Sequence, residues 1–223
     1  MKVIVFGATG MVGQGVLIEC LEDPRVQSIL VIGRHSVGMS HPKLREIIRG
    51  DFFDYRDLRA DLAGYDACFF CLGVSSVGMK ESAYHRMTYD LTLAVAETLV
   101  TVNPGMTFCY VSGEGTDSTE RGRLMWARIK GKTENHLLRL PFKAFLFRPG
   151  YIQPLKGVRS KTRLYQALYD IFARFYPLLK RVAGRHVTTT ENLGRAMIAV
   201  AAKGYPRRVL ENADINLVEA QSR

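Results

Sequence analysis

Unbroken apolar runs alternate along this chain with stretches in which apolar positions recur every three or four residues. Val3-Ile4-Val5-Phe6 is the first run, and Val16, Leu17, Ile18 and Leu21 follow at helical spacing. Further runs are Ser28–Ile32, Leu44–Ile48, Ala67–Leu72, Thr107–Val111 and Ala144–Phe147. Helices are predicted from Glu81 to Val102, ended by Asn103-Pro104-Gly105, and from Arg121 to Leu138. Strands buried on both faces read as continuous apolar runs rather than as alternation. Such runs separated by helices predict βαβ units. The expectation is one α/β domain built on a doubly wound parallel sheet.

The pattern changes after Gly150. Leu164, Leu168, Ile171, Phe172, Phe175 and Leu179 recur at helical spacing, with Arg163, Gln166, Asp170, Arg174 and Arg181 as a narrow polar stripe opposite. Pro177 is expected to end or kink that helix. Its wide apolar face must cover core, a substrate pocket, a partner subunit or a membrane surface. A last helix is predicted after Thr188-Thr189-Thr190, carrying Leu193, Ala196, Met197 and Val200. Residues 1–155 are thus read as the core of the domain and 156–223 as a small C-terminal cap.

Composition narrows the class. The chain has 223 residues, 47% of them hydrophobic, enough for one domain with a substantial core. No stretch supplies the ~20 consecutive apolar residues of a membrane-spanning helix. The first strand begins at once, without a secretory signal, and Cys20, Cys68, Cys71 and Cys109 form no disulfide framework. Cys68-Phe69-Phe70-Cys71 lies in an apolar run and reads as core thiols rather than a redox or zinc site. These features set the expectation of a cytoplasmic protein. The five histidines show no metal-ligand spacing, so no metal is expected. The net charge is +10, and residues 151–186 hold eight cations against one anion, Asp170, which places +7 of it there. A solvated basic face explains such a block, as does contact of 156–185 with an anionic membrane. No nucleic-acid reading module is present.

The strongest chemical signal is the first strand running into Gly7-Ala8-Thr9-Gly10-Met11-Val12-Gly13 and then a helix. Gly7 suits a tight turn, Gly10 lets backbone approach a pyrophosphate, and Gly13 lets the helix pack closely on the strand. Free amides at the helix start and the helix dipole favour phosphate there. An acid some 20 residues further on bonds the ribose 2′-hydroxyl in NAD-specific sites. Here that region reads Gly33-Arg34-His35. A guanidinium binds a 2′-phosphate bidentately where a carboxylate would repel it. NADP is therefore expected over NAD, with Arg34 as the determinant.

Together with Gly50-Asp51-Phe52, Cys71-Leu72-Gly73, Tyr110-Val111-Ser112 and Arg148-Pro149-Gly150, the turn resembles the short-chain dehydrogenase/reductase superfamily. The likeness is greatest to its atypical NAD(P)-binding, epimerase/dehydratase-like members, and covers residues 1–155 better than the remainder. It implies a Rossmann-type fold, with Gly7, Thr9, Gly10, Met11, Val12 and Gly13 at the cofactor. It implies Asp51 and Phe52 at the adenine, Leu72, Gly73 and Val74 along the ribose, and Pro149, Gly150 and Ile152 beside the nicotinamide. It also implies a homodimer through the helices at 81–102 and 121–138.

In that superfamily a serine polarises the substrate carbonyl, a tyrosine is the acid–base group, and a lysine four residues later holds the ribose. Ser112 matches the serine and Lys130 the lysine. The tyrosine position is Trp126, whose indole donates a hydrogen bond but does not titrate usefully. Three readings follow: another group such as Tyr110, Tyr84 or His85 supplies the proton; the chemistry differs; or the chain binds NADP(H) without catalysis, as a regulator or sensor. No tyrosine lies between Val111 and Tyr151, so a shifted alignment does not restore the triad. Glu114, Asp117 and Glu120 follow the fifth strand, where they either reach substrate or stay as solvated loop acids. The leading expectation is an NADP(H)-dependent oxidoreductase or epimerase-like enzyme acting on a small carbonyl or alcohol.

Overall fold

The computed structural model describes residues 1–158 and 181–221. Its centre is a parallel sheet of seven strands in the order β3-β2-β1-β4-β5-β6-β9. These are β1 (Lys2–Phe6), β2 (Ser28–Gly33), β3 (Leu44–Ile48), β4 (Ala67–Phe70), β5 (Thr107–Val111), β6 (Lys143–Arg148) and β9 (Val209–Glu211). The order reverses between β1 and β4, which is the Rossmann arrangement and opens a crevice at the carboxyl ends of those strands. The expected doubly wound α/β fold is therefore what the chain adopts. A separate pair, β7 (Tyr151–Gln153) and β8 (Val187–Thr189), runs parallel with Tyr151 opposite Val187.

The helices are α1 (Met11–Glu22), α2 (Arg59–Leu62), α3 (Glu81–His85), α4 (Leu91–Val102), α5 (Met125–Leu137), α6 (Thr190–Lys203) and α7 (Asn212–Ala220). A π turn, Arg86–Asp90, joins α3 to α4, so the single helix expected over 81–102 is one helical run with a π interruption. Alternate strand residues face two cores. Val3, Val5 and Phe69 pack with α1, α6 and α7, whereas Ile4, Phe6 and Phe70 pack with α4 and α5. The central strands β1, β2, β4 and β5 are apolar on both faces for this reason, whereas the edge strand β3 carries Arg45 and Glu46.

Several boundaries differ from the expectation. The helix expected from Arg121 begins at Met125, because Asp117 takes the amides of Thr119 and Gly122 and turns the chain outside the helix. The strand expected to reach Leu72 ends at Phe70. The helix expected after Thr188-Thr189-Thr190 begins at Thr190, with Thr189 Oγ1 accepting the Asn192 amide as its N-cap, but it is not the last, since α7 follows it. The apolar helix expected between Arg163 and Arg181, and most of the basic block 156–185, fall outside the described residues. Among the described residues, no helix is long and apolar enough to cross a membrane.

Candidate active site

The glycine turn is built as its spacing requires. Gly7 has φ +82°, and a Cβ there would lie 2.7 Å from the Cys71 backbone. A Cβ on Gly13 would lie 2.2 Å from the Gly7 carbonyl oxygen. These two contacts admit only glycine and press α1 against the ends of β1 and β4. Gly10 is the N-cap of α1, with no side chain capping the helix and no acid in its first turn. Amides of the first turn are left to an outside acceptor, which is what a phosphate group supplies. Thr9 is half-buried within the turn.

Two pockets open at the carboxyl ends of the strands. The larger, about 740 Å³, is lined by Gly10, Met11 and Val12 after β1, by Leu72, Gly73 and Val74 after β4, and by Ser112 and Glu114 after β5. Trp126 and Lys130 of α5 form one wall, and Pro149, Gly150, Tyr151 and Ile152 another. The smaller, about 280 Å³, is lined by Arg34, Asp51 and Phe52, and it shares Leu72, Gly73 and Val74 with the first. The fold thus brings the expected site residues to two adjoining hollows, except Gly7, Thr9 and Gly13, which belong to the turn but do not line either one. Arg34 is exposed and, among the described residues, pairs with no carboxylate. Asp51 accepts the Phe53 amide at 2.7 Å.

Ser112 is buried, and its hydroxyl donates to Glu134 Oε1 at 2.5 Å. Glu134 is itself 1% exposed and is held by the Arg148 guanidinium, whose Nε donates to Oε1 at 3.0 Å. Arg148 also reaches Ser118 Oγ at 2.6 Å and Glu211 at 3.1 Å. The single hydroxyl proton of Ser112 is therefore committed, and polarising a substrate oxygen would require it to leave Glu134. The Lys130 ammonium donates to the Ser112 carbonyl oxygen and lies 6.0 Å from the centre of the Trp126 ring. Burial lowers its pKa to about 8, against the opposing pull of the Glu134 charge. Trp126 packs on Gly115, where a Cβ would stand 3.4 Å from the indole.

The three proton donors proposed to replace the missing tyrosine are all elsewhere. Tyr110 and Tyr84 are 2% exposed in the core, where burial pushes both hydroxyls up in pKa. His85 faces Asp90 and Lys132 on the far side of α5. Asp117 and Glu120 are occupied in the loop: Asp117 with Thr119 and Gly122, Glu120 with Asn135. Two residues of the cleft were not singled out as proton carriers. Tyr151 donates its hydroxyl to Gln153 Oε1 at 2.8 Å. Glu114 accepts a hydrogen bond from Nδ1 of His186. The sequence offered one signal for Tyr151, its place directly after Arg148-Pro149-Gly150.

No protein-family model matches the chain. Among solved structures, the WbmF enzyme of Bordetella bronchiseptica in complex with NAD+ and UDP superposes over 99% of this chain and 77% of its own, with TM-score 0.68 and 19% identity. A short-chain dehydrogenase family protein of Francisella tularensis matches over 91% of each chain at TM-score 0.61 and 14% identity. The fold of this chain is therefore the Rossmann-type α/β fold of these solved structures. UDP-glucose 4-epimerase of Thermotoga maritima, solved with UDP-glucose, covers all of this chain and 82% of its own at TM-score 0.66 and 15% identity. By sequence, the mitochondrial protein fmp52-2 of Aspergillus oryzae is 25% identical over 95% of this chain and 93% of its own. Three further fungal relatives, 26–27% identical, are likewise mitochondrial by name. The expectation of a cytoplasmic protein, drawn from cysteine usage and the start of the chain, is corrected by these relatives.

Proposed function

We propose that this chain binds a nicotinamide dinucleotide and is an NADP(H)-dependent oxidoreductase or epimerase-like enzyme acting on a small carbonyl or alcohol. The observation that carries the reading is the pair of adjoining pockets. An uncapped helix start and a glycine cradle face one end, Arg34 faces the other, and Lys130 stands on the wall between β5 and β6. WbmF was solved with NAD+, so the dinucleotide is supported by likeness of fold, whereas the preference for NADP rests on Arg34 alone. Gly10, Met11 and Val12 would take the pyrophosphate, Asp51 and Phe52 the adenine, and Leu72, Gly73 and Val74 the ribose. Lys130 would hold the second ribose, with Pro149 and Ile152 against the nicotinamide. The dinucleotide, when bound, supplies hydride chemistry. The chain positions it, excludes water and provides the proton.

Calorimetry with NADPH and NADH tests the cofactor. NADPH is expected to bind more tightly, and Arg34→Ala to weaken NADPH by roughly 10- to 100-fold while leaving NADH nearly unchanged, since a hydrogen bond to a charged group is worth about 1.5–3 kcal/mol. An NADH preference in the parent protein would sink the assignment. A second reading, a non-catalytic NADP(H)-binding regulator, is favoured by Trp126 in place of the tyrosine and by the committed Ser112 hydroxyl. Tight cofactor binding with no turnover across a panel of aldehydes, ketones and alcohols would decide for it.

A further inference from the structure

We propose that His186, oriented by Glu114, is the acid–base group of this cleft and takes the place left by Trp126. The proposal rests on the oxidoreductase reading above and adds the proton carrier that reading lacks. Glu114 lines the cleft beside Ser112 and Trp126. Its amide donates to the Pro149 carbonyl at 2.9 Å, which fixes the carboxylate over the start of β7. Gly150 brings the two partners together. A Cβ at that position would lie 2.5 Å from Glu114 Oε2 and 2.2 Å from the His186 carbonyl oxygen, so only glycine lets both approach. Asn212, 2% exposed, accepts the Gly150 amide at 3.0 Å and locks this corner. His186 directly precedes Val187, the partner of Tyr151 in the β7–β8 ladder, so the sheet register places it beside the cleft wall.

With Nδ1 bound to a carboxylate, the imidazole is held in one orientation and Nε2 is the atom that exchanges protons. This is the arrangement general acid–base catalysis needs. In carbonyl reduction, the imidazolium would give its Nε2 proton to the substrate oxygen, and a reduced nicotinamide bound by the glycine turn and Lys130 would supply the hydride to the carbonyl carbon. The products would be an alcohol, a neutral imidazole and the oxidised dinucleotide. The other titratable groups around the site are Lys130 and Tyr151 of the cleft and the neighbouring Arg185. On α7, Asn216 binds the backbone of Gly184 and Val187, while Asp214 faces Arg207 and Glu219 faces Arg195. Glu114 is the carboxylate bound to the imidazole.

The test uses the full chain, with His186→Gln, Glu114→Gln and Tyr151→Phe, and calorimetric NADPH affinity beside turnover. His186 is 63% exposed in its side chain, so its replacement is expected to leave the fold intact, which the NADPH affinity checks. His186→Gln is expected to keep NADPH affinity, lower kcat by about 100-fold or more, and abolish the fall in rate above neutral pH. Glu114→Gln is expected to lower kcat with the same change of profile. A readout apart from turnover is carbethoxylation of His186 by diethyl pyrocarbonate, mapped by mass spectrometry, which NADPH with a bound alcohol should slow several-fold. Turnover and pH profile that survive His186→Gln, or a loss confined to Tyr151→Phe, overturn the assignment and leave the oxidoreductase reading standing. NADPH binding without turnover in the parent chain overturns both.

Discussion

At the scale of single residues, Lys130 carries the conflict between stability and binding most openly. Burial lowers its pKa to about 8, whereas the unfolded chain holds the same proton to about 10.4. Between those values the unfolded state binds more protons, so stability rises with pH across the window and the penalty is fully present below it. Lys130→Met removes the group from both states. Urea unfolding of parent and variant at several pH values should show the parent gaining on the variant by at most about 1.4 kcal/mol per pH unit between pH 8 and 10.4. A difference that stays flat across this window would mean that Lys130 is not desolvated. The neighbouring charge is held differently. Glu134 is buried but paired with Arg148 and bonded to Ser112, so both of its carboxylate oxygens have partners inside the protein. The sequence shows Ser112, Glu134 and Arg148 as separate polar residues, at the end of β5, on α5 and on β6. Their meeting depends on the register of β5 with β6, where Val111 lies opposite Phe147. His186 and Glu114 are further apart still, 72 positions along the chain, and no local spacing announces the pair.

At the scale of elements, α5 is set by one contact. A Cβ on Gly131 would stand 1.8 Å from the Asp117 carbonyl oxygen, so the helix bearing Trp126, Lys130 and Glu134 presses directly on the loop bearing Glu114. Alanine has the better helix propensity by about 1 kcal/mol, which alone would stabilise the helix. The clash is with backbone and outweighs that gain. Gly131→Ala should cost about 1–3 kcal/mol in urea unfolding and weaken dinucleotide binding, because Lys130 and Ser112 are separated by the same displacement. A variant as stable as the parent would show that helix and loop yield freely. The long apolar strands and the helix over Glu81–Val102 were legible because burial on two faces leaves a continuous apolar run and helical burial leaves a period. β7, β8 and β9 were not, since three residues are too few to display either pattern. α7 was missed for a related reason: Asn212, Asp214 and Asn216 break its apolar face, although Glu211 and Asp214 form a capping box at its start.

At the scale of the whole molecule, the part expected as a cap includes segments that complete the core. β9 pairs with β6 as the outermost strand of the central sheet, with Leu210 opposite Phe147. α6 lies against α1 so closely that a Cβ on Gly15 would meet the Thr190 side chain at 2.4 Å. Buried Glu19 of α1 then receives Lys156 at 2.6 Å and Arg195 at 2.9 Å, which ties the first helix to the chain beyond Gly150. Ending the chain at Gly204 removes β9 and α7. It exposes the edge of β6 and deletes Leu210 and Ile215, both 0% exposed, and Val218, 7% exposed. Full burial of each such side chain contributes about 1.5–3 kcal/mol, so the three together amount to a large share of the 5–15 kcal/mol by which a domain is ordinarily stable. The truncated chain should therefore lose its cooperative thermal transition in circular dichroism and aggregate through the uncovered strand edge on size exclusion. Retention of a cooperative transition within a few degrees of the parent would instead show that residues 1–204 carry the core unaided, and that β9 and α7 are an appendage to it.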